Sequence, residues 1–161
     1  MVNVAELFEI YVTKLLQKEF PDWSVSSPKI ELYTNQFFAR KIIPDIVMIK
    51  DNDVMVFDTK YKRMLFRGRY ENGGDLDRND FFQINTYMSY YKNQGYNVKV
   101  GGLLYPMGKK FNQDECYSDS WFNNSETKFI VDGIELSVDK INIDDIVKSE
   151  MTFIDRIKEL I

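Results

Sequence analysis

Two short apolar runs separated by a polar turn constrain the fold of this chain most. Ile46–Ile49 and Val54–Phe57 are entirely apolar, and the four residues between them, Lys50–Asp53, are typical of a turn. Because unbroken apolar runs of this length are typical of strands buried on both faces, the pattern predicts a hairpin inside a sheet. An aspartate stands immediately before the first run and another immediately after the second, Asp45 and Asp58.

The rest of the chain alternates between helix and strand signals. We expect an amphipathic helix over 3–19 capped by Asn3, and a helix over 81–94 capped by Asp80 and ended by Gly95. A strand over 98–105, stopped by Pro106, should follow. The chain should then form a hairpin of 129–131 with 134–138 around Asp132-Gly133 and end in a helix that starts at Asp144 or Asp145. This order predicts an α/β fold with a central mixed β-sheet flanked by helices. We expect a single domain over 1–161, with its core at about 3–105 and a C-terminal hairpin and helix at about 128–161.

Two scarce residue types exclude several classes of chemistry. The chain has no histidine, so Ser-His-Asp hydrolysis, histidine zinc sites and histidine general bases are excluded. Its single cysteine allows no intrachain disulfide, which favours a reducing compartment, and we expect the cytoplasm. No apolar run is long enough to span a membrane. A formal net charge of −4 argues against nonspecific coating of nucleic acid, although it leaves room for a local basic groove.

The two aspartates gain meaning from the hairpin that joins them. The start of one strand lies beside the end of its antiparallel partner, so Asp45, Asp58 and Lys60 should converge at one end of the sheet. Two carboxylates there, with the Thr59 carbonyl, offer hard oxygen ligands for Mg²⁺. Lys60 would then hold the attacking water and stabilise charge on a phosphate. The alternative is a simple ion pair at a strand end.

These residues also resemble a known nuclease superfamily. Pro44-Asp45 followed by Asp58-Thr59-Lys60 resembles the PD-(D/E)XK nucleases, and Gln83–Tyr87 looks like the QxxxY element of their RecB-like members. Leu7-Phe8-Glu9 is similar to the helix that supplies an extra acidic residue there. The wider pattern, including Asp80 before Gln83, is similar to the nuclease half of the McrC family over about residues 4–105.

The resemblance implies a PD-(D/E)XK restriction-endonuclease-like core and a role for each matching residue. Asp45, Asp58, Thr59 and Glu9 would bind Mg²⁺, for which Mn²⁺ would substitute, and Lys60 would position the nucleophilic water. Gln83 and Tyr87 would support the site or touch DNA. The family hydrolyses phosphodiesters to leave 5′-phosphate ends. Its members work with a partner such as an McrB-like AAA+ GTPase that recognises methylated DNA; a homodimer is the other partner to expect.

Several residues keep a second explanation. Glu9 also suits a solvated helix face, Gln83 a capping box with Asp80, and Tyr87 core packing. A run of cations follows Lys60 and favours a phosphate-binding rim, to which Arg40 would add; the run is Lys62, Arg63, Arg67 and Arg69. Two other functions stay open, namely an inactive adaptor domain of a defence complex and a nuclease for branched or transposon DNA.

Overall fold

The structure is a computed structural model that describes residues 3–37, 40–61, 77–108, 111–123, 126–136 and 142–161. Its helices and strands are, in chain order, α1 (Val4–Glu19), β1 (Ser24–Ser26), β2 (Ile30–Glu31), β3 (Lys41–Ile42), β4 (Ile46–Lys50), β5 (Asp53–Thr59), α2 (Arg78–Asn93), β6 (Asn97–Met107), α3 (Gln113–Cys116), β7 (Tyr117–Ser118), β8 (Lys128–Glu135) and α4 (Ile143–Lys158). The described helices are too short or too polar to cross a bilayer.

A six-stranded mixed sheet forms the centre of the fold. Its strand order is β1-β4-β5-β6-β8-β7, and β2 pairs with β3 in a separate two-stranded sheet. The predicted hairpin is present, because β4 and β5 pair antiparallel with Ile46 opposite Phe57. The pairs β5–β6 and β6–β8 are parallel. This architecture, with helices against the sheet, confirms the predicted fold class.

The central strand β5 is buried on both of its faces. Met55 and Phe57 belong to the hydrophobic core that includes α1 and α4, while Val54 and Val56 belong to the core that includes α2. Side chains alternate along a strand, so Asp58 follows Val54 and Val56 on the α2 side. The fold therefore aims Asp58 at the first turns of α2.

The predicted hairpin around Asp132-Gly133 is wrong, because 128–135 is one uninterrupted strand parallel to β6. The Asp132 carboxylate is buried. It accepts three hydrogen bonds from the Arg156 guanidinium at 2.9–3.3 Å and one from the Tyr117 hydroxyl at 2.5 Å. A Cβ added to Gly133 would lie 1.7 Å from the Tyr105 carbonyl oxygen. Asp132 is therefore a buried partner of Arg156, and Gly133 allows two strands to approach closely, although an Asp-Gly pair usually indicates a turn.

Three element boundaries also differ from prediction. The α2 helix is capped by Asp77, whose side chain accepts from the Asn79 amide, so Asp80 lies inside the first turn. The α4 helix is capped by Asn142. Strand β6 continues through Pro106 and stays paired with β8 there. Pro106 lies beyond the last pair of β5 with β6, Thr59 with Leu104, so its missing N–H removes no bond of that ladder. The predicted Asn3 cap of α1 and the end of α2 at Gly95, with φ +90°, are confirmed.

Candidate metal centre

The Asp45 carboxylate is oriented by the end of the neighbouring strand. Its Oδ2 accepts a hydrogen bond from the Thr59 backbone N–H at 2.8 Å and another from the Thr59 hydroxyl at 3.1 Å. Asp45 directly precedes β4 and follows the buried Pro44, so its backbone is fixed on both sides. The predicted convergence of Asp45 with the end of β5 is therefore what the structure shows.

Asp58 is the most buried carboxylate in this group, with 1% of the residue exposed. Its burial, together with the adjacent Asp45 carboxylate, raises the pKa of Asp58 to about 7, although Lys60 opposes the shift. Its Oδ2 lies 2.7 Å from the Lys60 ammonium. Apart from that ion pair, this oxygen has no well-aligned hydrogen bond in the described part of the chain. The local environment therefore holds an anionic oxygen that is only partly compensated.

Lys60 joins the end of β5 to the start of α2. Besides Asp58, its ammonium lies 3.2 Å from Asp80 Oδ1 and donates to Gln83 Oε1 at 2.9 Å. Burial alone would lower the pKa of Lys60, but the contacts with Asp58 and Asp80 outweigh it and raise the pKa above its ordinary value. Lys60 is consequently an ammonium at neutral pH, which donates hydrogen bonds and does not accept protons.

Gln83 and Tyr87 extend this network along one face of α2. The Gln83 Nε2 donates to the Tyr87 hydroxyl at 3.0 Å, and that hydroxyl donates to the Ile43 carbonyl at 3.3 Å. The contact ties α2 to the backbone two residues before Asp45. Since Asp77 is the helix cap, the capping-box explanation of Gln83 is wrong. Tyr87 is 5% exposed and lies in the α2-side core, so it combines packing with a polar contact.

Glu9 approaches the same end of the sheet from α1. Partial burial, then the charges of Asp45 and Glu6, raise the pKa of Glu9 above its ordinary value. Glu9 therefore lies within electrostatic range of Asp45. Glu9 is half-buried and is less enclosed than Asp58.

The oxygen donors of the site suit a hard divalent cation. Within the described segments no three Asp, Glu or Cys side chains already form a closed metal cage. Mg²⁺ does not require one, because it keeps several waters and is held by one or two carboxylates. Asp45 and Asp58 meet that requirement, and the buried, poorly bonded Oδ2 of Asp58 is a donor of the right kind. For Thr59 the structure shows N–H and hydroxyl contacts with Asp45, and the predicted carbonyl ligand stays a prediction.

Of the predicted phosphate-binding rim, one residue, Arg40, lies within the described part of the chain. Arg40 is exposed, directly precedes β3 and stands five positions before Asp45. Lys62, Arg63, Arg67 and Arg69 lie outside the described residues.

Sequence reasoning missed the contact between Asp80 and Lys60. The sequence predicts Asp80 to be a helix cap, but Asp80 is 6% exposed and forms an ion pair with the Lys60 ammonium. The available signal was its position three residues before Gln83, since residues i and i+3 share one face of a helix.

Comparisons with known proteins identify the fold and the family of the chain. The chain aligns over 99% of its length with a chain in the refined half-complex from a tetradecameric assembly of Thermococcus gammatolerans McrB AAA+ hexamers with bound McrC, with a TM-score of 0.60 and 18% identity. It spans about a third, 34%, of that longer chain. No curated protein matches the chain. The family model described as McrBC 5-methylcytosine restriction system component matches residues 1–106. This chain therefore belongs to the family of McrBC 5-methylcytosine restriction system components.

Proposed function

We propose that this chain is a Mg²⁺-dependent DNA endonuclease of the PD-(D/E)XK type that acts as the cleavage component of an McrBC restriction system. The observation that carries the proposal is the convergence of Asp45, Asp58 and Lys60 where β4 begins and β5 ends. An ordinary ion pair would need one carboxylate, whereas this site holds a second one close enough to raise the pKa of Asp58.

In this proposal Asp45 and Asp58 bind the metal directly, and Glu9 contributes directly or through water. The bound cation would lower the pKa of a water ligand and neutralise charge on the nonbridging phosphate oxygens. Thr59 keeps Asp45 in place through two hydrogen bonds to one of its oxygens. The protein thus supplies anionic oxygens that are oriented before the metal arrives.

Lys60 would act as a hydrogen-bond donor next to the reacting phosphate. Its contacts with Asp58, Asp80 and Gln83 keep it protonated and fix the position of Nζ. A fixed ammonium orients the attacking water and stabilises the negative charge that develops on phosphorus oxygens during in-line attack. Hydrolysis would leave a 5′-phosphate, as expected for this type of nuclease.

Targeting would come from a partner. The net charge of −4 predicts weak, salt-sensitive DNA binding by the chain alone, with backbone contacts from the cations at 62–69. The family match and the fold shared with a chain of the McrB–McrC assembly support an McrB-like AAA+ GTPase as that partner.

A plasmid-nicking assay with Mg²⁺ or Mn²⁺, with and without EDTA, tests the proposal. We expect metal-dependent nicking by the wild type and its loss in Asp58→Ala and in Lys60→Ala, while Asp51→Asn, in the exposed β4–β5 turn, nicks normally. Circular dichroism and thermal unfolding check that each variant is folded.

The assay should be run with the chain alone and with an McrB-like AAA+ GTPase, GTP and methylated DNA. Cutting that survives in Asp58→Ala would refute the site. An absence of cutting and of metal binding under every condition would favour the adaptor function. Cutting confined to junctions or transposon ends would assign a different DNA substrate.

A further inference from the structure

Three acceptors surround the Lys60 ammonium, and they come from two different elements. Asp58 Oδ2 at 2.7 Å belongs to the end of β5, whereas Gln83 Oε1 at 2.9 Å and Asp80 Oδ1 at 3.2 Å belong to the first turns of α2. The side chains are well enclosed, with 17% of Lys60 and 8% of Asp80 exposed. An ammonium has three donors, so each acceptor accounts for one of them.

One of these acceptors is also the oxygen that a metal would need. A cation bound at Asp58 Oδ2 and the Lys60 ammonium compete for the same buried atom, because like charges repel strongly at such distances. When the cation occupies that oxygen, the ammonium retains the two acceptors on α2. The carboxylate of Asp80 is the charged one of the two.

We propose that Asp80 is a positioning residue that, together with Gln83, retains the Lys60 ammonium when a divalent cation occupies Asp58. The inference rests on the proposed function, since it concerns the same site. Without the Asp80 charge, Asp58 becomes the only anionic partner of Lys60 among these three acceptors. Lys60 then competes more strongly with the metal and is held less firmly after the metal binds.

Calorimetric titration with Mn²⁺ measures this competition without any cleavage. We expect Asp80→Asn to weaken Mn²⁺ binding about tenfold when Lys60 is present, and by less than about twofold in the Lys60→Ala background, since coupling between contacting residues is of this size. An equal loss in both backgrounds would mean that Asp80 acts only through its long-range charge, and that result overturns the proposal. No loss in either background overturns it as well.

The helix offers a matched control. Asp77→Asn removes a carboxylate from the same helix start but keeps the cap, because asparagine caps as well as aspartate. It should weaken Mn²⁺ binding by less than about twofold. Serine is also tolerated at the start of a helix, so Asp80→Ser replaces Asp80→Asn in the titration if the latter does not fold.

A second readout needs no metal and separates the two proposals. The ¹H–¹⁵N spectrum of the lysine ammonium groups should contain a slowly exchanging Lys60 signal, assigned by its loss in Lys60→Ala. We expect Asp80→Asn to remove or strongly broaden this signal, while Asp77→Asn preserves it. If the wild type binds no Mn²⁺, the metal proposal fails, but an unchanged Lys60 signal in Asp80→Asn is what would refute the positioning role.

Discussion

Replacing Asp58 by asparagine should stabilise the metal-free protein while abolishing its metal binding. Asparagine has the shape of a protonated aspartate but never ionises, so the variant avoids placing a charge at a position that is 1% exposed. The pKa of Asp58 rises from 3.8 to about 7 on folding. At 1.36 kcal/mol per pKa unit, this shift corresponds to at most about 4 kcal/mol of destabilisation of the wild type at alkaline pH.

The pH dependence follows from the direction of the shift. Below about pH 4 the carboxyl is protonated in both the folded and the unfolded chain, so the ionisation of Asp58 gives the two proteins no difference in stability. Between about pH 4 and pH 7 the unfolded chain releases its proton while the folded chain keeps it, and the wild type loses stability as pH rises. The free energy of unfolding of Asp58→Asn minus that of the wild type should therefore grow over this window and level off above it.

Urea unfolding from about pH 4 to about pH 8 measures the difference in free energy of unfolding between Asp58→Asn and the wild type. For a chain of this size, the full difference corresponds to a Tm that is higher in Asp58→Asn by roughly 10 °C at pH 8. Asp51→Asn, at the exposed turn, controls for the loss of one negative charge and should show no such growth. Mn²⁺ should raise the Tm of the wild type at pH 8 and leave that of Asp58→Asn unchanged. A difference that is constant with pH, or an Asn variant that is less stable at pH 8, would refute the reasoning.

Two further predictions concern the sheet and its buried ion pair. Gly133→Ala should prevent stable folding or lower Tm severely, because the new Cβ would lie 1.7 Å from the Tyr105 carbonyl oxygen. Gly108→Ala should change Tm little, because among the described residues no atom beyond its chain neighbours lies within 4 Å of the new Cβ. Equal effects of the two substitutions would contradict the close approach at Gly133. Arg156→Met should lower the free energy of unfolding at pH 7 by about 3–5 kcal/mol, since it leaves the Asp132 carboxylate buried without its cation, and adding Asp132→Asn should recover part of that loss. Urea unfolding of the single and double variants decides this, and a double variant less stable than Arg156→Met would contradict it.

The convergence of Asp45 and Asp58 could be predicted because it depends on local information. Two apolar runs and the turn between them fix an antiparallel register, and the register alone brings the first residue before one strand beside the last residues of the other. Lys60 follows from the two-residue period of a strand. These steps need no knowledge of the rest of the fold.

The errors arose where distant residues override a local preference. Asp132-Gly133 favours a turn on its own, but Arg156 lies 24 positions further along the chain and neutralises Asp132 inside a strand. Asp80 is a good capping residue, yet Asp77 is the cap, and Asp80 contacts Lys60, which belongs to another element. The sequence pattern of one segment does not show which distant residue will contact it, and in both cases that contact determines the observed conformation.

Two buried carboxylates differ in whether the fold explains them: Asp132 is explained by its bonding partners, whereas Asp58 is not. Asp132 is fully buried, but Arg156, Tyr117 and the Gly133 amide bond to both of its oxygens. Asp58 has Lys60 on one oxygen and a second carboxylate nearby, and its pKa remains near 7 in spite of the lysine. An asparagine at 58 would fit the same space without the charge. Folding alone gives no reason for an aspartate there, whereas a site that must bind a divalent cation requires one.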